Sequence, residues 1–197
     1  MHERKLLPMV IWATLSLALP AAALGQAEVS KHDEKSCSTN TLPTELQKKL
    51  AEQFANWRIQ ELRDLSPAAK ARWYAGYYTG CPGLAAGEFR ENGRGSYALL
   101  LVPAEKPDSA YRLVMYTPAA AKSAEEFDVL DKQDAPGASN FFVTSEKTAD
   151  LFDAAARRNS DITAKETMVA FEVGENQYQV NAYYWADGAY RAVPLDL

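Results

Sequence analysis

The sequence predicts an α+β fold in which N-terminal helices pack on a predominantly antiparallel β-sheet, stapled by one disulfide. Three observations carry that expectation. Apolar residues recur at helical spacing between residues 43 and 78. From residue 83 onward, short apolar runs alternate with turns rich in Gly, Pro and Asn. The chain also has two cysteines, Cys37 and Cys81.

Taken in order, the first helix signal is TLPTELQ. Thr44 and Gln47 have the spacing of a capping box, and Leu46, Leu50, Phe54 and Trp57 follow as one stripe suited to a core contact. WRIQELRDL fits either a continued helix or extended chain. Ser66-Pro67 opens a second helix through AAKARWYAGYY, because Ser satisfies orphan N–H groups and Pro suits the first turn. TGCPG ends it. SYALLLVP is apolar on both faces, as a central strand requires, AEKPDSA turns, and YRLVMYTP returns. EEFDVLDKQDAPGASNFFVTSE supplies two more short strands around Pro136-Gly137. KTADLFDAAARR is expected to be helical, with Leu151, Phe152 and Ala155 facing inward. Three strands close the chain: TMVAFEV, QYQVNAYYW and AYRAVPLDL. They are joined at Gly174-Glu175-Asn176 and at Asp187-Gly188, both favourable turn chemistries.

The N-terminus reads as an export signal. Arg4 and Lys5 precede an apolar run from Leu6 to Leu19 that is short for a bilayer span, and Pro20 with small residues to Gly25 forms a cleavage region. The expected organisation is a signal peptide over 1–25, a flexible leader over 26–42 and a single domain over 43–197. The protein is thus expected in the periplasm or outside the cell, with no membrane span after cleavage. In such an oxidising compartment Cys37 and Cys81 are expected to pair. The closed loop of about 45 residues is worth roughly 4 kcal/mol in the chain-entropy model.

Composition narrows the chemistry. A net charge of −5 without a basic stripe argues against a nucleic-acid surface. The two histidines, His2 and His32, fall in the signal and the leader, so His-dependent nucleophilic triads and His zinc sites are not expected in the domain. GxxxxGK[ST], GxGxxG and GxSxG are all missing, and no cofactor is implied.

GEFRENGRGSYALLL, residues 87–101, has the frame of a metal-binding turn: Glu88 opens it, Asn92-Gly93 marks the sharp point, and Tyr97-Ala98-Leu99 begins a strand. The stretch resembles a single unit of the FG-GAP or VCBS (integrin-type) repeat, as found in small exported bacterial proteins. That resemblance implies a Ca²⁺-loaded turn. Counting from Glu88, however, the alternate positions are Arg90, Asn92, Arg94 and Ser96. Ca²⁺ takes six to eight oxygen ligands, and a guanidinium offers no lone pair. The residues Glu88, Asn92 and Ser96 are therefore expected to form a degenerate turn without metal, in which Arg90 or Arg94 replaces the cation by pairing with Glu88 or Glu91.

Two clusters remain. The acids Glu125, Glu126, Asp128, Asp131 and Asp134 could contain a glycosidase pair. Strand alternation instead places Glu126, Asp128 and Leu130 on a solvated face, with Phe127 and Val129 toward the core. Aromatic residues gather at Tyr74, Tyr77 and Tyr78, and again at Tyr183, Tyr184, Trp185 and Tyr190. In the penultimate strand Gln179, Asn181, Tyr183 and Trp185 share one face, opposite Tyr178, Val180, Ala182 and Tyr184. If exposed, that face is the best binding patch on the chain, because Tyr and Trp suit interfaces and sugar stacking. The expected function is a non-enzymatic exported binding protein whose partner is an envelope or extracellular protein or a glycan. A carboxylate-dependent glycan hydrolase and a Ca²⁺-stabilised structural module are the alternatives.

Overall fold

The computed structural model describes residues 37–90, 95–118, 127–153, 156–157, 162–174 and 177–195. The expected signal peptide and the leader up to residue 36 lie outside the described residues, as do Glu91, Asn92, Arg94, Glu125, Glu126 and Ala155.

Folded structure begins ahead of residue 43. A single 3-10 turn at Thr39–Thr41 is capped by Ser38, and Leu42 is buried behind it. Helix α1 spans Thr44–Gln53. The expected capping box does not form, because Pro43 holds the cap position and Thr44 is already inside the helix. Gln47 Nε2 donates instead to the Leu42 carbonyl at 2.8 Å. Phe54, at φ −130°, ends α1, and the chain extends into strand β1 at Trp57–Ile59. Phe54 and Trp57 therefore reach the same core as Leu46 and Leu50, but from outside the helix. Helix α2 spans Pro67–Ala75, with Ser66 accepting from the Ala69 N–H at 3.2 Å and Pro67 in the first turn, as expected.

The strands that follow are β2 (Leu84–Gly87), β3 (Ser96–Pro103), β4 (Tyr111–Tyr116), β5 (Phe127–Gln133), β6 (Phe141–Lys147), β7 (Glu166–Val173), β8 (Tyr178–Ala186) and β9 (Ala189–Pro194). The helix expected across KTADLFDAAARR is interrupted: α3 is Thr148–Leu151, and Phe152 leaves it at φ −127°, ψ 130° to set its ring edge-on to Tyr184. Residues 156–157 are helical again, with the Arg157 N–H donating to the Asp153 carbonyl at 3.0 Å.

All the pairings are antiparallel, but the strands make two sheets rather than one. In the first, β1 and β2 lie end to end along one edge of β3, followed by β4 and β5. The second runs β6-β7-β8-β9. The Pro136-Gly137 turn moves the chain from one sheet to the other, with Gly137 at φ 130°.

Strand alternation sorts the core into three layers. Ala98, Leu100 and Val102 of β3 meet Val143, Met168, Ala170 and Tyr183 of the second sheet, which makes the two sheets a sandwich. Leu99 and Leu101 point the other way, into a cluster with Leu42, Leu46 and Leu50. On the far side of the second sheet, Val169, Phe171 and Val180 cluster with Leu62, Leu65 and Trp73. β3 is buried on both faces, as its uninterrupted apolar run implied.

The Cys37–Cys81 disulfide is present, with Cα atoms 4.9 Å apart. Next to it, a Cβ at Gly83 would stand 2.6 Å from the Gln60 carbonyl oxygen, so only glycine lets these two backbones meet. Among the described residues no helix is long and apolar enough to cross a membrane.

Candidate functional site at the open flank of the sandwich

One flank of the sandwich brings together the free edges of the two sheets, β5 and β9. Their pairing fixes which side chains enter the gap. In β5 the partners jump from Leu113–Asp131 to Val114–Val129, so Leu130 is the extra residue of a β-bulge. Residues opposite each other in an antiparallel pair project to the same side. Asp128 lies opposite Met115 and Asp131 opposite Leu113, and both partners belong to the inter-sheet core. The bulge thus aims Asp131 inward, where regular alternation would send it out. The expected pattern holds for Phe127, which packs in the cluster with Phe54 and Tyr116, and for exposed Asp128. It is reversed for the next two residues: Leu130 packs against the inter-sheet core, whereas Val129 is 53% exposed.

The facing wall is β8. Gln179 is exposed at the rim, Asn181 and Trp185 are half-buried, and Tyr183 is only 7% exposed. The four residues share one face, and the first sheet covers its middle: Tyr183 and Trp185 line a recessed groove, Asn181 lines a smaller cavity beyond it, and Gln179 stays exposed outside both. A cavity of about 270 Å³ is walled by Asp128, Leu130, Tyr183, Trp185 and Tyr190. Beyond Tyr183 a smaller one, about 60 Å³, is lined by Tyr111, Asp131, Glu172 and Asn181.

Arg90 organises the wider end. Its Nη2 lies 2.6 Å from Asp128 Oδ2, and its guanidinium carbon lies 3.9 Å from the centre of the Trp185 ring. Nε donates to the Tyr190 hydroxyl at 3.3 Å. Trp185 and Tyr190 are cross-strand partners, with rings edge-on at 4.9 Å, held by a turn in which Asp187 and Gly188 both have positive φ. Ser96 is buried, and its hydroxyl lies 2.9 Å from that of Thr117, which in turn hydrogen-bonds Tyr190. Glu88 sits elsewhere, 2.8 Å from Lys165 Nζ.

The residues of the degenerate turn therefore do not converge. Phe89, fully buried between the sheets, sends its two neighbours to different places. Arg90 takes Asp128 as its partner, not Glu88, and Asn92 lies outside the described residues. Among the described residues no three of His, Cys, Asp and Glu stand together as a metal site. The acidic run is likewise divided: Asp128 is held by Arg90, Asp131 accepts from the Tyr111 hydroxyl at 2.7 Å, and Asp134 pairs with Arg112. The partner of Arg90 and the inward aim of Asp131 were hidden from sequence reading, because they depend on a contact 38 residues away and on a bulge, respectively.

Burial makes the groove's phenols weak acids. It pushes Tyr183 up to about 12, with the Asp131 charge adding to the effect. Burial also raises Tyr111, and the bond to Asp131 reinforces it. For Tyr190 burial again dominates, against the opposing bonds to Thr117 and Arg90. An unfolded tyrosine titrates near about 10, so this contribution to stability is whole below that pH and is lost as pH rises toward the folded values. The urea midpoint should fall steeply between about pH 10 and 12. Tyr183→Phe should flatten the fall by up to about 1.4 kcal/mol per pH unit. An unchanged slope in this variant would place the alkaline sensitivity elsewhere.

A larger cleft of about 520 Å³ lies around Glu88, Lys147, Arg157, Lys165 and Glu166. Its carboxylates are already engaged, Glu88 by Lys165 and Glu166 by the Glu88 N–H at 2.6 Å. The flank groove combines aromatic rings with oriented polar groups. No family model, no curated protein and no solved structure matches this chain significantly, so its geometry stands without a relative to interpret it.

Proposed function

We propose that this is an exported, non-enzymatic binding protein that receives a glycan of the cell envelope in the flank groove. The carrying observation is the Trp185–Tyr190 pair facing a cavity of about 270 Å³, backed by Arg90 and bordered by Asp128. That volume falls below the range of about 300–1,000 Å³ typical of drug-sized ligands, and it suits a single sugar ring. Rings supply an apolar platform, and a fixed carboxylate accepts from hydroxyls. Arg90 and Asp128 hold each other in place, so the platform is preorganised before the ligand arrives. Export is supported by the basic start, short apolar run and small-residue boundary of residues 1–25, together with the cystine.

The binding reading is favoured over hydrolysis because Asp128 and Asp131 are each held by a separate partner rather than facing one another across a bond. The Ca²⁺-module reading is weaker still, since Glu88 is paired to Lys165 and Ser96 to Thr117. Titration of tryptophan fluorescence with solubilised peptidoglycan strands and chito-oligosaccharides should give a saturable change. Trp185→Leu should weaken it about tenfold, equivalent to about 1.4 kcal/mol. Steady release of reducing ends during the titration would convert the reading to a hydrolase. Binding that ignores Trp185→Leu would move the site away from the flank.

A further inference from the structure

On the opposite edges of the sandwich, helix α2 ends in an arrangement that stability does not explain. The Tyr77 N–H donates to the Tyr74 carbonyl at 3.0 Å, and the Tyr78 N–H to the Trp73 carbonyl at 3.3 Å. These are the two bonds of a Schellman motif, whose left-handed position is normally glycine. Here that position is Tyr77, at φ 53°. The glycine stands one residue earlier, because a Cβ on Gly76 would be 2.3 Å from the Tyr78 ring. Tyr77 is 91% exposed, so its ring gains almost no burial in exchange for an unfavourable backbone conformation. An exposed aromatic side chain on such a backbone points to contact with something outside the chain.

The surroundings say what kind of contact. Tyr77 and Tyr78 border a cleft of about 310 Å³ that continues along Thr144, Ser145 and Glu146. Ser145, opposite Met168, turns its hydroxyl toward the inter-sheet core beside Gly87, whereas its strand neighbours Thr144 and Glu146 project to the other face, where Tyr78 lies. Among the described residues Glu146 accepts a 3.5 Å contact from the Thr144 hydroxyl, and its negative charge reaches Tyr78, adding to the burial that raises that phenol. Arg72, whose charge also reaches Tyr78 and opposes this effect, is stacked on Tyr178, 4.2 Å from the ring centre. An exposed tyrosine ring beside a carboxylate attracts a positively charged organic group.

We propose that the cleft between Tyr77, Tyr78, Thr144 and Glu146 binds an alkylammonium group. It is independent of the flank groove, which lies along the other edges of both sheets. The ammonium is held over the exposed Tyr77 ring and against Glu146.

The test is an NMR titration of the oxidised protein with choline, with Nα-acetyl-lysine methylamide, and with 3,3-dimethylbutan-1-ol, the uncharged isostere of choline. Choline or the lysine amide should saturate. The isostere should bind at least about tenfold more weakly, and Glu146→Gln should cost about three- to thirtyfold in affinity. Preference for choline identifies a quaternary headgroup as the source, and preference for the lysine amide identifies a protein side chain. Tyr77→Gly is the decisive variant, because it relieves the left-handed backbone and should raise Tm by about 2–4 °C while weakening binding. Equal binding of the isostere, undiminished affinity in Tyr77→Gly, or no saturation up to about 100 mM, where binding is worth little more than 1 kcal/mol, overturns the proposal.

Discussion

Reducing the Cys37–Cys81 bond should lower Tm by about 8–16 °C. The disulfide closes a sequence separation of 44 residues, for which loop entropy gives roughly 4 kcal/mol, and a domain of this size loses about 2–4 °C per kcal/mol. The position of the loop matters as much as its length. It contains α1, whose Leu46 and Leu50 lie against the outer face of the first sheet, and α2, whose Ala69 and Trp73 lie against the outer face of the second. Opening it frees the segment that covers both sides of the sandwich. Scanning calorimetry with and without dithiothreitol, and of the double variant Cys37→Ala/Cys81→Ala, measures the effect. A fall of less than about 3 °C would mean that the covers hold by packing alone. The inter-sheet core shares none of these cover residues, so the flank groove should lose its ligand only when the whole domain unfolds.

What was legible in the sequence was whatever depends on near neighbours. Ser66-Pro67 marked the start of α2, the apolar run at 96–103 marked the doubly buried β3, and Asp187-Gly188 marked the last hairpin. Each is decided by caps, alternation or backbone preference within a few residues. The face shared by Asn181, Tyr183 and Trp185 was legible for the same reason, since alternation along β8 fixes it. What covers that face was not, because β5 and β6 look alike as isolated strands and nothing local says that they belong to different sheets. The same limit applies to Asp131. Its inward aim depends on one extra residue opposite the Leu113–Val114 step, which is a property of the pair and not of either strand. Thr44 failed as a cap because Pro43 had already set the helix entry. Tyr77 shows the reverse case: a glycine signal was present, but the glycine stood one position ahead of the residue with the left-handed backbone.

Phe142→Ala should cost about 3–5 kcal/mol, the other large loss expected in this fold. Phe142 is fully buried, and its ring stacks on Phe171 at 4.7 Å, meets Trp73 edge-on at 5.3 Å and lies 5.7 Å from Tyr78. These rings join α2 to the second sheet, so removing the central one leaves a cavity that β6 and β7, each fixed by a full antiparallel ladder, cannot close. A double-mutant cycle with Trp73→Ala should show coupling of about 0.5–1.5 kcal/mol, because the two rings pack as a unit. Additive losses would mean that each ring is held separately by the sheet. Chemical denaturation is the measurement, and binding tells the layers apart. Trp185 projects from the opposite face of the second sheet, so in Phe142→Ala under conditions where it remains folded, glycan affinity should stay within about twofold of the parent, within about 0.4 kcal/mol. Affinity for alkylammonium should fall, because Tyr78 leans on Phe142. One substitution beneath the second sheet should therefore separate two surfaces that the sandwich keeps on opposite edges.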